Sequence, residues 1–156
     1  MKTLILFESY FGNTEKIARL IGEAFEETEF AICKETKRIG DYDLIIWGAP
    51  TRGFRPAPDT AKLLFNSPPK TIQNKNFAVF DTRIDLETIK SGFWRKLVNR
   101  GGYAAPAMHK KLKNKGGFLL ADPEGFYVLD REGPLKEGEE DRAREWGKMI
   151  REVMEK

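Results

Sequence analysis

The sequence has a single cysteine and no long hydrophobic segment. Cys33, the one cysteine among 156 residues, excludes an internal disulfide and a metal site made only of cysteines. No segment approaches the ~18 consecutive apolar residues of a membrane helix, and the first residues show no signal-peptide pattern. We therefore expect a cytoplasmic protein with no membrane span, in which Cys33 is an inert packing residue.

The motifs of several nucleotide-binding and signalling proteins are also missing. The chain contains neither Gly-x-x-x-x-Gly-Lys-Ser/Thr nor Gly-x-Gly-x-x-Gly, which excludes a P-loop hydrolase and a dinucleotide Rossmann site. A receiver-type signalling module needs acidic residues after its first and third strands to bind Mg²⁺, and only Glu8 stands there. His109 lies among lysines, where a solvent-facing position is favoured over catalysis. The sequence thus predicts no catalytic side chain and no metal site.

Acidic residues are absent from one long stretch of a chain whose net charge is +3. Between Glu87 and Asp122 all charged side chains are basic: Lys90, Arg95, Lys96, Arg100, Lys110, Lys111, Lys113 and Lys115. The segment from Asp122 to Asp141 is predominantly acidic, so oppositely charged patches are expected. A nucleic-acid role is disfavoured because stacking aromatics are sparse in the basic stretch. Two interpretations of the basic stretch remain, a solvated helix face or a surface that contacts an acidic partner protein.

The hydrophobic pattern alternates between strands and helices. Chain length and 40% hydrophobic residues suit one domain, which we expect to comprise residues 1–156. Strand patterns occur at 3–8, around Phe30 and Ile32, at 44–47, at 77–80, and at 118–120 with 126–129 after a break at 122–125. Helical spacing occurs at 17–25, 59–65 and 146–154. This alternation predicts an α/β fold with a parallel sheet covered by helices on both faces.

The connection between Asp81 and Gly117 is longer than one crossover helix needs. We expect two helices within it, the first containing Phe93 and Trp94 and the second opened by Pro106. The segment 85–102 is therefore interpreted as a helical insertion.

Loops that follow strands are the candidates for a binding site, because ligands of open parallel sheets bind beyond the carboxyl ends of the strands. The first such loop is Ser9-Tyr10-Phe11-Gly12-Asn13-Thr14, directly before a helix. Free backbone N–H groups and the helix dipole favour an anion there, and a glycine allows close approach to its oxygen atoms. The hydroxyls of Ser9 and Thr14 add hydrogen-bond donors. Because the sequence shows no Mg²⁺-binding motif beside this loop, the expected ligand group is a monophosphate. The alternative is an ordinary turn in which Asn13 or Thr14 caps the helix.

Three motifs, in order along the chain, resemble the flavodoxin family. The loop from Ser9 to Thr14 is similar to that family's phosphate loop for FMN. The segment Gly48-Ala49-Pro50-Thr51-Arg52-Gly53-Phe54 resembles the one placed against the isoalloxazine ring, and Asp81-Thr82-Arg83 resembles the one beside the pyrimidine side of the flavin. The resemblance implies a three-layer, doubly wound sheet with strand order 2-1-3-4-5. It also implies bound FMN, held by Ser9, Tyr10, Phe11, Gly12, Asn13, Thr14, Pro50, Thr51, Arg52, Gly53, Phe54, Asp81, Thr82 and Arg83.

The resemblance implies a redox function as well. The leading hypothesis is an electron-transfer protein, in which the chain tunes bound FMN and a redox partner protein exchanges electrons with it. The alternative is an NAD(P)H-dependent quinone reductase, because Pro50-Thr51-Arg52 also resembles a segment of that branch. Candidates for stacking on the outer flavin face are Phe54, Phe93 and Trp94, although a core position is more common for such aromatics.

Overall fold

The computed structural model describes residues 1–52, 55–85, 92 and 102–156. Within these residues the strands are β1 (Lys2–Phe7), β2 (Glu27–Ile32), β3 (Leu44–Arg52), β4 (Arg55–Pro56), β5 (Asn76–Ile84), β6 (Phe118–Leu119) and β7 (Glu124–Val128). The helices are α1 (Asn13–Gly22), α2 (Pro58–Asn66), α3 (Pro69–Ile72), α4 (Ala104–Asn114) and α5 (Glu139–Glu155), and a 3₁₀ turn covers Cys33–Glu35. Gly53, Phe54, Phe93, Trp94 and most of the expected insertion at 85–102 lie outside the described residues.

Local sequence signals account for where the helices begin. Pro58 and Pro69 occupy the first turns of α2 and α3, where a missing N–H breaks no helical hydrogen bond. The first turn of α5 carries three acidic side chains, which interact favourably with the positive end of the helix dipole. The predicted second helix of the long connection is confirmed as α4, and the short α3 was not predicted.

The strands β1, β2, β3, β5, β6 and β7 pair in parallel. Their order is β2-β1-β3-β5, and both β6 and β7 pair with β5. When β6 and β7 are counted as one interrupted strand, this is the predicted order 2-1-3-4-5, so the α/β fold class is confirmed. β4 adds a short antiparallel pairing to the end of β3.

Two central strands are longer than the sequence predicts. β3 continues through Gly48, and β5 continues beyond Phe80. The reason is pairing over long range, since Pro50 at the end of β3 lies opposite Thr82 of β5. The predicted break in the last strand is likewise shifted, because Glu124 already belongs to β7. The segments interpreted as the second and third loops are therefore strand ends at the carboxyl edge of the sheet.

Each face of the sheet packs against its own hydrophobic core. On one face, α1 and α5 cover a core in which the rings of Phe80, Phe126 and Trp146 meet edge to face with centroids 5.9 to 6.3 Å apart. On the other, α2 and α4 cover a core that includes the fully buried Trp47. Within the described ranges, no helix has both the length and the apolar character needed to cross a membrane. The two cores fix the strand ends from which a site can be built.

Cys33 is buried beside α2, with its Sγ 3.5 Å from the Thr60 hydroxyl. Burial raises the pKa of the Cys33 thiol to about 12, against the opposing effect of its hydrogen bond with Thr60. Because the thiolate is the reactive form, we expect an aromatic disulfide reagent to label Cys33 roughly a hundredfold faster in urea than in the folded protein. Rapid labelling of the native protein, followed by absorbance, would contradict this.

Candidate functional site

The loop between β1 and α1 folds around the hydroxyl of Ser9. This oxygen accepts hydrogen bonds from the backbone N–H groups of Gly12 (3.2 Å) and Glu15 (3.3 Å). Gly12 stands immediately before α1 with a φ of 88°, a left-handed conformation that glycine adopts without strain. The predicted turn is therefore present, and Ser9 shapes it from within.

Five of the six backbone N–H groups of this loop have no acceptor among the described residues, and three of these five, at Phe11, Asn13 and Thr14, lie at its helical end. Unpaired N–H groups are expected at the start of a helix, because no earlier turn supplies acceptors. The dipole of α1 adds partial positive charge at the same end. The loop is thus arranged to bind an anion through its backbone.

The side chains of Asn13 and Thr14 tie the loop to the rest of the site. The Asn13 amide donates to the backbone carbonyl of Glu132 at 3.1 Å, on the segment that follows β7. The buried Thr14 hydroxyl lies 2.8 Å from that of Thr82 on β5, and either oxygen can be the donor. When Thr82 is the donor, Thr14 retains its proton for a ligand. Sequence analysis selected these residues for the binding loop but did not indicate that they also brace it.

A cleft opens beside this loop at the carboxyl edge of the sheet. Its enclosed volume is about 60 Å³, and the rest of the cleft is open to solvent. Its walls are formed by Ser9, Tyr10, Phe11, Asn13, Thr14, Pro50, Thr51, Arg52, Thr82, Arg83, Ile84, Val128 and Arg131. The structure therefore brings the three predicted motifs together. Of the described residues predicted for the site, Gly12 and Asp81 do not line the cleft.

Asp81 points into the protein instead of the cleft. Its carboxylate is fully buried and accepts two hydrogen bonds from Arg83, at 2.7 and 2.8 Å. It also accepts the N–H of Ala105, in the first turn of α4, at 2.9 Å. Burial raises the pKa of Asp81, and its hydrogen bonds with Arg83 and Ala105 oppose that rise. The side chain predicted to contact a ligand therefore holds α4 against β5.

Arg83 is enclosed on several sides. Its guanidinium carbon lies 3.7 Å from the centre of the Tyr103 ring, a cation–π contact. A Cβ added at Gly125 would lie 2.2 Å from the same carbon, so a larger residue there would displace the Arg83 guanidinium. The Thr51 hydroxyl oxygen accepts the N–H of Ala104 at 3.0 Å. The start of α4 is thus fixed to the two strand ends that form the cleft.

Arg52 has a different environment, on the open side of the cleft. Its guanidinium carbon lies 4.7 Å from the centre of the Tyr10 ring, and no carboxylate among the described residues is within ion-pair distance. The Tyr10 hydroxyl donates to the buried Glu8 carboxylate at 2.7 Å. Burial, reinforced by this hydrogen bond and the negative charge of Glu8, raises the pKa of Tyr10 to about 12. Tyr10 therefore stays neutral near pH 7 and positions the uncompensated charge of Arg52.

Sequence reasoning missed Ile84, Val128 and Arg131 as cleft residues. Ile84 ends β5, and Val128 pairs with it from the end of β7. The signal was available, because the rule that sites lie beyond strand ends applies to the last strand as well as to the first three. It also missed Glu8, whose carboxylate accepts the N–H of Thr60 at 2.7 Å and so caps the start of α2.

Comparisons with known proteins identify the family and the fold. The profile of the family described as Flavodoxin matches residues 5–146. No curated protein sequence matches the chain. Among solved structures, the chain is similar to a flavodoxin from the domain Archaea at 16% identity and a TM-score of 0.73, with 100% of both chains covered. It is also similar to Flavodoxin 2 from Bacillus cereus at 20% identity and a TM-score of 0.68, covering 97% of this chain and 99% of that one.

A longer protein shares the fold as well. Rubredoxin oxygen:oxidoreductase from Desulfovibrio gigas is 19% identical, with a TM-score of 0.73. The match covers 99% of this chain, which spans 36% of the length of that protein. At such identities the structural similarity establishes the fold alone.

Proposed function

The chain belongs to the flavodoxin family, which supports a flavin-binding redox function, and we propose that its flavin is FMN and that it transfers electrons with a redox partner protein. The observation that carries the proposal is the set of three unpaired N–H groups, at Phe11, Asn13 and Thr14, beside the cleft. A cytoplasmic location is part of the proposal, since a lone reduced Cys33 suits a reducing compartment.

The residues of the cleft fit FMN by the chemistry of their donors. The phosphate of FMN is an anion, and the loop offers it backbone N–H groups at a helix start. The space around Gly12 is open, because a Cβ added there would meet no atom within 4 Å. The remaining cleft combines apolar surface from Pro50, Ile84 and Val128 with polar groups. Such a combination suits an aromatic ring system with a polar edge.

We assign the binding of FMN to residues in three groups. The first group, Ser9, Tyr10, Phe11, Gly12, Asn13 and Thr14, would hold the phosphate. The second group, Pro50, Thr51 and Arg52 with Gly53 and Phe54, and the third group, Thr82 and Arg83, would hold the ring system. When bound, FMN supplies the electron-transfer chemistry, so no catalytic side chain is required. The contribution of the chain is to bind and orient the flavin, to exclude water from its buried side and to set the charge around it.

A single spectrum tests the proposal most directly. The purified protein, or the apoprotein after addition of FMN, should show flavin absorbance, and denaturation should release FMN and not FAD. A protein that stays colourless in the presence of excess FMN would contradict the proposal.

The alternative of an NAD(P)H-dependent quinone reductase stays a prediction with its own test. The FMN-loaded protein would be mixed with NADH or NADPH and a benzoquinone. Absorbance would then measure oxidation of the nicotinamide. Sustained turnover would identify an enzyme. Electron exchange with protein partners and no nicotinamide oxidation is the result that we expect for a carrier.

The uncompensated charge of Arg52 predicts an effect on the reduction potential. The fully reduced flavin carries a negative charge, and a partly exposed cation a few ångströms away stabilises it by about 1 kcal/mol. One kcal/mol corresponds to roughly 40 mV for one electron. Arg52→Gln should therefore lower the potential of the step that forms fully reduced flavin by a few tens of millivolts, and by less at high salt.

Lys70→Gln provides the matched control for Arg52→Gln. Lys70 lies on α3, which precedes β5 and is therefore at the edge of the sheet opposite the cleft. Both variants remove one positive charge, but only Arg52 lies in the cleft. Redox titration should give a shift for Arg52→Gln and none for Lys70→Gln. Equal potentials in both variants would show that Arg52 does not interact with the flavin.

A further inference from the structure

The two helical layers of the molecule carry opposite net charges. The layer that covers the Trp47 core consists of residues 33–41, 58–75 and 102–117, which we call the basic layer. It contains ten lysines and arginines and three acidic residues, a net charge of +7. The opposite layer, residues 13–26 and 137–156, contains seven basic and ten acidic residues, a net charge of −3. The sheet thus separates a strongly cationic surface from a mildly anionic one.

The layers also differ in how their cations are paired. In the opposite layer the described cations form ion pairs with neighbouring carboxylates, as in Lys16 with Glu140 and Arg144 with Glu23, and Lys156 is the exception. In the basic layer, Lys75 pairs with Asp41, and Lys115 donates to backbone carbonyls. The other cations of that layer have no carboxylate partner among the described residues: Lys34, Lys37, Arg38, Lys62, Lys70, Lys110, Lys111 and Lys113.

A cluster of unpaired like charges lowers the stability of the free protein through mutual repulsion. The lysines at the end of α4 gain from the helix dipole there, but that effect does not reach Lys34, Lys37 or Lys62. Binding of an anionic surface removes the repulsion and accelerates encounter with the partner. The charge of this layer therefore favours association with a negatively charged macromolecule.

An exposed aromatic side chain lies within the same layer. Phe65 of α2 is 81% exposed, and Lys62 is one helical turn before it on the same face of the helix. An apolar anchor surrounded by charged residues is typical of protein interfaces. Single-stranded nucleic acids require a series of stacking aromatics, and the described basic layer exposes one. A protein partner is therefore favoured over a nucleic acid.

The basic layer also borders the cleft. α2 begins where Glu8 caps it, and α4 begins where Thr51 and Asp81 accept its first N–H groups. Lys110 to Lys113 follow six to nine residues after the start of α4, which corresponds to roughly 9 to 14 Å along the helix. A protein seated on these lysines therefore reaches the rim of the cleft.

We infer that the basic layer, with Phe65 as its apolar anchor, is the docking surface for an acidic redox protein. The inference rests on the proposed function, because an electron carrier must place its flavin close to a partner. In the expected reaction one electron leaves a reduced iron–sulfur cluster of the partner and enters the flavin of this protein. Attraction between the two surfaces sets the rate of encounter.

The test uses the FMN-loaded protein and a negatively charged [2Fe–2S] ferredoxin as the probe. Stopped-flow absorbance would follow the transfer of electrons from reduced ferredoxin to the flavin. The rate constant should fall about tenfold between low salt and roughly 0.3 M NaCl, because screening weakens the attraction. At low salt, the double variant Lys110→Glu/Lys113→Glu should be about tenfold slower than the wild type.

The double variant Lys148→Glu/Lys156→Glu is the control with the same change in net charge. Both of its sites lie on α5 or directly after it, in the opposite layer. Its rate should stay within about twofold of the wild type. Equal losses in both double variants would overturn the inference, because net charge alone would then explain the effect.

Two further measurements separate this inference from the proposed function. Titration of the protein with ferredoxin, followed by NMR, should shift the amide signals of α2 and α4 and leave those of α5 unchanged, with or without FMN. If these shifts occur but the protein binds no FMN, the docking surface is supported and the proposed function is wrong. Fluorescence anisotropy with a labelled DNA duplex should show no binding that depends on Lys110 and Lys113. Binding of that kind would replace the protein partner with a nucleic acid and overturn the inference.

Discussion

Riboflavin is expected to bind at least about a hundredfold more weakly than FMN, a difference of about 2.7 kcal/mol. The two ligands share the ring system, and only FMN carries the phosphate that the N–H groups of Phe11, Asn13 and Thr14 can bind. A hydrogen bond to a charged group contributes about 1.5 to 3 kcal/mol, so even partial use of three donors accounts for this ratio. Titration of the apoprotein, followed by quenching of flavin fluorescence, measures both affinities. Equal affinities would show that the loop is not the anchor.

A substitution at Gly12 tests the same loop by changing the protein instead of the ligand. The φ of 88° at Gly12 is costly for a β-branched residue, although a Cβ there would meet no protein atom within 4 Å. Gly12→Val should therefore distort the loop and weaken FMN binding by about tenfold or more. Gly12→Asn is the matched control, because asparagine adopts left-handed conformations more readily and should retain most of the affinity.

Riboflavin distinguishes a local effect of Gly12→Val from a general one. If the variant distorts only the phosphate loop, its affinity for riboflavin should stay close to that of the wild type. A loss of affinity for both ligands, or equal losses for valine and asparagine, would contradict the role assigned to the conformation of Gly12.

The features predicted well from the sequence are those that depend on residues close together in the chain. The spacing of apolar residues in α1 and α5 is local, as is the succession of a strand, a glycine turn and a helix around Gly12. The strand order followed from family resemblance, because periodicity alone specifies which segments are strands and not which strands are neighbours. Local patterns therefore predicted the first loop, and the family resemblance predicted its place in the sheet.

The features predicted poorly depend on contacts between distant segments. The ends of β3 and β5 look like loops in the sequence, and they become strands because each is the pairing partner of the other. Asp81 resembles a residue that contacts a ligand, but the ion pair with Arg83 and the N–H of Ala105 direct it inward. Oppositely charged patches were expected from the sequence, but their assignment to the two helical layers requires the fold, since α2 and α4 are separated by long stretches of sequence.

The buried interactions of Asp81 predict the largest effect on stability. Asp81→Ala would leave the guanidinium of Arg83, whose side chain is 13% exposed, without its carboxylate, and would leave the N–H of Ala105 without an acceptor. Removal of one partner from a buried ion pair costs about 3 to 5 kcal/mol. The free energy of unfolding, from urea denaturation of the apoprotein, should fall by that amount. Asp122→Ala removes an exposed carboxylate and should change stability by less than about 0.5 kcal/mol.

A double variant distinguishes a broken ion pair from a simple loss of packing. Burial raises the pKa of Asp81 despite its pairing with Arg83. The attraction between the two side chains therefore offsets only part of the free energy needed to remove their charges from water. Asp81→Leu/Arg83→Met removes both charges and keeps apolar volume, and it should be more stable than either Asp81→Leu or Arg83→Met alone. Losses of the two single variants that add up in the double variant would show that the residues stabilise α4 and β5 independently. The interpretation of Asp81 and Arg83 as one energetic unit would then be wrong.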